Sequence, residues 1–270
     1  MSGVSAKTQP PPDGFVFDAP LTESAASVVF LVRDALGVCV CKRLGGRARA
    51  DAAAVARLLR GGRVVRALAG RGAPELVAAG ADDAGPFVAT RRLAMTPIAE
   101  LAPEAISDAL VRAAFRSLAE IHEATDAHGP LDVVHADVSP SNLLVAPDGA
   151  VARFVDFGLA TMRDDAPPAD GVFRGTLAFA APEVARGEAF DARADLFALA
   201  ASLLSIVSGE PPRSAPSDAA LLALAGGEPI DAWARTAASR LEPRIAAALV
   251  ACVAFDRDAR PARARDVCGT

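Results

Sequence analysis

The sequence predicts an α+β fold of two lobes, a small β-rich N-terminal lobe and a larger helical C-terminal lobe. Short runs of β-branched and aromatic residues separated by turn residues occupy the first third of the chain, and long helical apolar patterns fill the rest. The 270 residues are 52% hydrophobic and 23% charged, a composition that can bury a sizeable core and is not that of a disordered chain.

The first residues differ in composition from the rest of the chain. Residues 1–20 are rich in Pro, Gly and Ser and include the run Pro10-Pro11-Pro12, which is typical of mobile chain ends. We therefore expect a flexible Pro-rich leader over residues 1–20. The β-rich lobe should then span residues 21–92 and the helical lobe residues 93–270.

The N-terminal lobe is predicted to contain short strands and one helix. The β-type runs lie at residues 28–32, 38–41, 76–77 and 87–89. Apolar spacing predicts a helix over residues 50–68. A break is expected in that helix near Gly61 and Gly62, because glycine weakens a helix interior.

The C-terminal lobe is predicted to be helical. Apolar residues at helical spacing occupy residues 106–124, 191–208, 221–225 and 243–255. The longest apolar run, residues 196–207, is shorter than the roughly 20 residues that span a bilayer and so indicates a buried helix.

Charge and cysteine content exclude several classes of function. A net charge of −5 and a pI near 5.3 give no overall basic footprint for nucleic acid or anionic lipid. The four cysteines form two distant pairs without metal-site spacing or a disulfide framework. We expect a cytoplasmic protein with neither a nucleic-acid nor a membrane partner, and the sequence does not indicate an oligomeric state.

Two short segments carry the chemistry. The first runs from Val134 to Val145 and contains Asp137, with Asn142 five residues later. The second contains Asp156, directly before Phe157-Gly158. Phosphoryl transfer from a magnesium nucleotide needs three such groups: a carboxylate that accepts the hydroxyl proton, and an amide and a second carboxylate that hold the metal.

With these segments the sequence resembles the eukaryotic-type Ser/Thr protein kinases, called Hanks-type kinases in bacteria. Further landmarks of that family occur in order: Gly175-Thr176, Ala181-Pro182-Glu183, Asp195 and Arg260-Pro261. The resemblance covers about residues 21–267. It implies the bilobal protein-kinase fold, with Mg-ATP bound in the cleft between the lobes.

The resemblance implies a role for each matching residue. Asp137 would be the catalytic carboxylate that orients the acceptor hydroxyl and takes its proton. Asn142 and Asp156 would hold magnesium, which prefers oxygen ligands. Lys42 would be the second catalytic residue and would reach the α and β phosphates of ATP. The adenine would lie between Val29 and Val40 above it and Leu144 below it.

Other residues would support the site. We expect His135 to brace the catalytic loop, Asp195 to anchor the backbone of that loop, and Arg260 to pair with Glu183. His122 and His128, in contrast, are interpreted as surface or loop residues without a partner.

The sequence departs from the family pattern at four places. The glycine-rich loop that covers the phosphates is replaced by residues 22–27, which contain no glycine. Gly61 takes the place of the helix glutamate that pairs with the strand lysine, and such a charge-assisted bond is worth about 1.5–3 kcal/mol. In the catalytic loop, Ala136 replaces the arginine that reads an activation-loop phosphate, and Ser139 replaces a lysine.

The resemblance therefore implies a Ser/Thr protein kinase of reduced activity that acts on a Ser or Thr hydroxyl of a protein substrate. One alternative is a pseudokinase, a nucleotide-binding scaffold or allosteric partner. A small-molecule phosphotransferase, which uses a similar loop, is less favoured because those enzymes lack a peptide-docking segment such as Ala181-Pro182-Glu183.

Overall fold

A computed structural model of the chain divides into two compact units, residues 1–94 and residues 95–270. It describes residues 10–24, 26–165, 175–267 and 269. The first unit consists mainly of β-strands and the second mainly of helices, which confirms the α+β class.

The first unit contains an antiparallel five-stranded sheet in the order β1-β2-β3-β5-β4. Its strands are β1 (Val16–Glu23), β2 (Ser27–Asp34), β3 (Gly37–Leu44), β4 (Leu76–Asp82) and β5 (Gly85–Arg91). One face of the sheet forms a core that includes Phe30 together with the buried thiols of Cys39 and Cys41. These cysteines act as small apolar residues.

The expected leader is too long. Residues 16–20 belong to β1, which pairs with β2 from Val16 opposite Arg33 to Glu23 opposite Val28. The ring of Phe17 lies 5.8 Å from that of Phe30, so the strand adds to the core. The Pro-rich composition concealed this strand, although proline is tolerated on an edge strand such as β1. Residues 1–9 lie outside the described part of the chain.

The helix of the first unit, α1 (Ala52–Leu68), is continuous, so the predicted break at Gly61 and Gly62 is wrong. Both glycines are buried. A Cβ on Gly62 would lie 3.1 Å from the Cβ of Ala79 and 3.2 Å from Cγ2 of Val88. The glycine therefore lets the helix approach the sheet closely, and this packing offsets the low helix propensity of glycine.

The second unit is built around helices that the sequence largely predicts. They are α2 (Asp108–His122), α3 (Pro182–Ala185), α4 (Arg193–Ser208), α5 (Asp218–Gly227), α6 (Asp231–Ala238) and α7 (Pro243–Cys252). α4 is buried on almost every side, as its apolar run predicts. The apolar pattern did not predict α6, whose buried residues are all alanines and whose N-terminus has no side-chain cap.

Short strands complete the second unit. β6 (Thr96–Pro97), β9 (Leu143–Val145) and β10 (Ala152–Phe154) form a small sheet in the order β10-β9-β6. A separate hairpin joins β7 (Thr125–Asp126) to β8 (Gly129–Pro130). Among the described residues, no helix combines the length and apolarity needed to cross a membrane.

Candidate active site

The hairpin of β9 and β10 holds the two predicted metal ligands near each other. Asn142 directly precedes β9, and Asp156 lies two residues after β10. The backbone N–H of Val155 donates to the carbonyl oxygen of Asn142 at 2.9 Å, which ties the two ends of the hairpin together. The hairpin thus places an amide and a carboxylate in one region of the second unit.

Asn142 is joined directly to Asp137. Its side-chain Nδ2 donates to the backbone oxygen of Asp137 at 2.9 Å and to the carboxylate Oδ2 at 3.2 Å. With both amide hydrogens directed to Asp137, the amide oxygen of Asn142 is the atom that can face a cation. Oxygen donors of this kind suit Mg²⁺, so the residues present fit the implied metal.

Asp156 has an uncommon backbone conformation, with φ 62° and ψ 66°. A non-glycine residue in this left-handed region is uncommon and is often found at functional sites. A Cβ on Gly158 would lie 3.3 Å from Oδ1 of Asp156, so glycine leaves room for this carboxylate.

Burial raises the pKa of Asp137, and the negative charge of Asp156 adds to the rise. His135 and the hydrogen bonds from Thr176 act in the opposite direction. The backbone N–H and the hydroxyl of Thr176 both donate to Oδ1 of Asp137 at 3.0 Å. A Cβ on Gly175 would lie 3.2 Å from the same oxygen, so only glycine lets the backbone approach so closely.

Asp195 anchors the predicted catalytic loop as expected. Its carboxylate accepts the backbone N–H of His135 at 2.7 Å and that of Ala136 at 2.9 Å. The side chain of Asp195 is 1% exposed, so these bonds stabilise a charge that would be costly to bury alone. They also hold Ala136 in the left-handed region, at φ 61°.

The interpretation of His122 as a residue without a partner is wrong. Its Nε2 lies 2.9 Å from Oδ2 of Asp195, and its side chain is 8% exposed. The two residues are 73 positions apart in sequence, so no local pattern indicates the contact. His128, in contrast, is exposed in the turn that joins β7 and β8, in agreement with its interpretation as a surface residue.

His135 braces the loop as predicted. It is fully buried, and its ring lies 4.6 Å from that of Phe157. Nε2 lies 3.1 Å from the carbonyl oxygen of Val155, while Nδ1 accepts the backbone N–H of Asp137 at 3.3 Å. The side chain therefore links the catalytic loop to the segment that carries Asp156.

The ion pair between Arg260 and Glu183 is also confirmed. The guanidinium donates two parallel bonds to the carboxylate, at 2.7 and 2.9 Å, and both side chains are buried. Arg260 also lies over the ring of Phe197 in α4, 4.9 Å from its centroid. The pair thus fixes α3, which comes after the segment containing Thr176, to the segment that follows α7.

The second unit has two depressions that no sequence pattern indicated, and one of them is lined by Asp137. A small cavity of about 20 Å³ is lined by Asp137, Thr176 and Phe179, among others. An open groove of about 350 Å³ shares Phe179 with that cavity. The rest of the groove lining is mainly apolar and includes one carboxylate: Ala99, Leu101, Pro103, Ser205, Ile206, Gly209, Glu210 and Pro211.

The predicted nucleotide-binding residues of the first unit share one face of its sheet. Lys42 in β3 is paired with Val29 in β2, and Val40 lies two residues before Lys42, so all three side chains point to the same side. Lys42 is also paired with Val88 in β5, against which α1 packs. The face of Lys42 is therefore the face that α1 covers in part.

α1 supplies no carboxylate to this face. Residues 52–68 contain no Asp or Glu, and Gly61 is buried in the helix interior. Leu144, the remaining predicted adenine contact, is half-buried in β9 of the second unit. The predicted site residues thus form two groups, Val29, Val40 and Lys42 in one unit and Asp137, Asn142, Leu144 and Asp156 in the other.

Comparison with known proteins gives the family context. The family model described as "protein kinase domain" matches residues 94–266. A stretch of 144 residues is 38% identical to the DNA damage-responsive serine/threonine-protein kinase RqkA of Deinococcus radiodurans, covering 51% of this chain and 21% of RqkA. Another, of 118 residues, is 43% identical to the tyrosine-protein kinase MasK of Myxococcus xanthus, covering 43% of this chain and 18% of MasK.

These matches span about a fifth of the length of the curated relatives. Among solved structures, the PknI kinase domain of Mycobacterium tuberculosis superposes with a TM-score of 0.65 at 21% identity, covering 95% of this chain and 94% of that one. At this identity the likeness confirms the fold alone. The match to the family model begins at the boundary between the two units, so nearly all of the first unit lies outside it. The first unit is also the one whose sequence lacks the phosphate-loop glycines and the helix glutamate.

Proposed function

The chain belongs to the protein kinase domain family, and from this we propose that it is a serine/threonine protein kinase that transfers the γ-phosphoryl group of Mg-ATP to a protein hydroxyl. One observation carries the proposal. The carboxylate of Asp137 accepts hydrogen bonds from Asn142 and Thr176. The negative charge of Asp156 is close enough to raise the pKa of Asp137. These are the groups that phosphoryl transfer needs.

Each residue has a defined task in this proposal. Asp137 orients the acceptor hydroxyl and takes its proton, and the raised pKa of this carboxyl makes it a better proton acceptor. Mg-ATP supplies the phosphoryl group and a cation that offsets its charge. Asn142 and Asp156 hold the metal and Lys42 the phosphates, while Val29, Val40 and Leu144 contact the adenine.

A protein acceptor is supported by the surface around Asp137. Phe179 lines both the cavity at Asp137 and the apolar groove, and we propose that the groove receives residues of the substrate that flank the reacting hydroxyl. The buried pair of Glu183 and Arg260 stabilises the segment that forms one wall. Small-molecule phosphotransferases lack this segment. Serine or threonine is favoured over tyrosine because the hydroxyl of Thr176 contacts Asp137, as the family resemblance implies.

We also propose that transfer is slow. α1 offers no carboxylate that could orient Lys42, and the turn between β1 and β2 has no glycine that could approach phosphate closely. The same absence of acidic residues in α1 is the observation that favours the second candidate, a pseudokinase that binds nucleotide as a scaffold.

Phosphate transfer by the full chain tests the proposal. We expect the wild type to incorporate labelled phosphate from Mg-ATP into a general protein acceptor such as casein, and Asp137→Asn to abolish incorporation. Asp132→Asn is the matched control. Asp132 is exposed and lies at φ 49°, a conformation that asparagine tolerates, so this variant should keep wild-type transfer.

Nucleotide-dependent melting separates the candidate functions. A shift of the melting temperature by ATP and magnesium, together with transfer, supports the kinase. A shift without transfer would contradict the kinase and support the scaffold. If neither ATP nor ADP shifts the melting temperature, both candidates are rejected.

The proposed location is the cytoplasm. ATP is available there, and the thiols of Cys39 and Cys41 are free and buried, which suits a reducing compartment. Cys268 lies outside the described residues.

A further inference from the structure

Arg213, which follows α4 in the second unit, is a buried arginine that the proposed reaction does not use. Its side chain is enclosed, and the residue is only 6% exposed. The guanidinium Nη1 donates to the carbonyl oxygen of Ala180 at 2.9 Å. The group also lies over the ring of Phe197 in α4, 5.4 Å from its centroid. Nε and Nη2 are buried and have no hydrogen-bond partner among the described residues.

The charge of Arg213 is not neutralised where it is buried. Burial lowers the pKa of Arg213 to about 10, against the opposing effect of the negative charge of Glu228. The guanidinium is therefore still protonated at neutral pH and has lost part of its hydration. Arg260 lies over the same ring of Phe197, but its charge is paired with Glu183. An apolar side chain of similar length in place of Arg213 would avoid this desolvation cost. It could not, however, donate a hydrogen bond to a carbonyl oxygen.

The bond from Arg213 holds one end of a short turn beside Asp137. Residues 176–180 form this turn, in which the backbone N–H of Phe179 donates to the carbonyl oxygen of Thr176 at 3.0 Å. At the start of the turn, the N–H and the hydroxyl of Thr176 are bound to the carboxylate of Asp137. At its end, the carbonyl oxygen is bound to Arg213. The 176–180 turn is thus held at both ends.

Both supports of the 176–180 turn depend on α4. Asp195, in the first turn of this helix, binds the backbone of the loop that carries Asp137. Phe197, two residues later, contacts the guanidinium of Arg213. Because one buried helix supports both ends, it fixes the position of the turn relative to the carboxylate. Three residues of the turn line the cavity at that carboxylate.

We propose that Arg213 is a positioning residue for the protein substrate, because it keeps the 176–180 turn in the place where the turn forms a wall of the substrate site. The inference rests on the proposed function. Arg213 contacts neither ATP nor the reacting hydroxyl in this proposal. Its loss should therefore weaken the binding of the protein substrate and leave the binding of ATP unchanged.

Steady-state kinetics of the full chain with casein as the acceptor test the inference. Arg213→Met removes the charge and the hydrogen bond but keeps a long unbranched side chain. We expect the KM for casein to rise about tenfold, as for the loss of one charge-assisted hydrogen bond, with the KM for ATP and kcat unchanged. The melting temperature should not fall, because the removal of an unpaired buried charge offsets the lost bond. Arg213→Lys keeps a cationic donor and should restore most of the affinity for casein.

The matched control variant is Arg240→Met. Arg240 also donates to a backbone carbonyl of the second unit, that of Val207 at 3.1 Å, but not to the 176–180 turn. This variant should keep both KM values of the wild type, and an equal rise of its KM for casein would contradict the inference.

The outcomes distinguish the inference from the proposed function. Transfer by Arg213→Met with an unchanged KM for casein would overturn the inference and leave the proposed function standing. An Arg213→Met protein that does not fold, or that melts at a lower temperature, would show a purely structural role and also overturn it. Absence of transfer by the wild type would reject the proposed function and the inference together.

Discussion

At the scale of single residues, Asp195 shows how a buried charge can organise a site. Its carboxylate accepts the backbone N–H groups of His135 and Ala136 in the loop that carries Asp137, and it lies 2.9 Å from Nε2 of His122. The family resemblance predicts the two backbone contacts. The histidine contact joins the end of α2 to the start of α4, and only the three-dimensional structure reveals it, because the residues are distant in sequence.

His122→Ala tests the value of this contact. We expect it to lower the free energy of unfolding by about 1.5–3 kcal/mol, since a hydrogen bond to a buried charge is lost. Urea denaturation measures the change. His128→Ala is the control, because His128 is exposed and should tolerate the change. Equal stability of the two variants would show that His122 contributes nothing through Asp195.

Asp34 predicts a pH dependence of stability. Arg91 hydrogen-bonds to its carboxylate and lowers the pKa of Asp34 from 3.8 to about 2. Because the pKa is lower in the folded state, the stabilisation is fully present above about pH 3.8 and is lost as the pH falls towards 2.

Urea denaturation of the wild type and Asp34→Asn between about pH 2 and pH 5 checks this dependence. The wild type should be the more stable protein at pH 5, and the difference should shrink as the solution becomes acidic. A difference that stays constant over this range would exclude the ion pair as its source. Asp83→Asn, in the turn between β4 and β5, is the comparison variant.

At the scale of elements, regular apolar patterns predicted helices and strands correctly, whereas segments rich in alanine or glycine were predicted wrongly. β2 to β5 and the large apolar helices such as α4 follow from periodicity, whereas β1 and the short strands of the second unit do not. α6 was missed because alanine faces carry little signal. The predicted break in α1 was wrong because local propensity indicates nothing about the close contact between Gly62 and the sheet.

Gly62→Ala should destabilise the protein although alanine favours a helix. The added methyl would meet Ala79 and Val88 at 3.1 and 3.2 Å. Such overpacking costs about 1–3 kcal/mol, against a gain in helix propensity of about 1 kcal/mol. Gly227→Ala in α5 is the matched control, because no atom lies within 4 Å of a Cβ there. Thermal unfolding compares the variants, and a Gly62→Ala protein as stable as the control would contradict tight packing.

At the scale of the whole molecule, sequence motifs predicted more of the second unit than of the first. Asp137, Asn142 and Asp156 were found from a motif, and the structure brings the first two into direct contact. Net charge alone, however, conceals a difference between the two units. Residues 1–94 contain 13 basic and 8 acidic residues, whereas residues 95–270 contain 15 basic and 25 acidic residues.

The pair of Glu183 and Arg260 provides a test at this scale, because it joins positions 77 residues apart. Arg260→Met should lower the free energy of unfolding by about 3–5 kcal/mol, since it leaves a buried carboxylate unpaired. Adding Glu183→Leu removes that carboxylate and should recover part of the loss. A double-variant cycle by urea denaturation measures the coupling, and additive effects would show that the pair is not coupled.

The burial of α4 has a consequence for how this protein loses its structure. The loop that carries Asp137 is bonded through Asp195 to the most enclosed helix of the second unit. We therefore expect the loop to have no independent melting step. As long as the central helix persists, the loop backbone keeps its shape, and both should disappear in one cooperative transition.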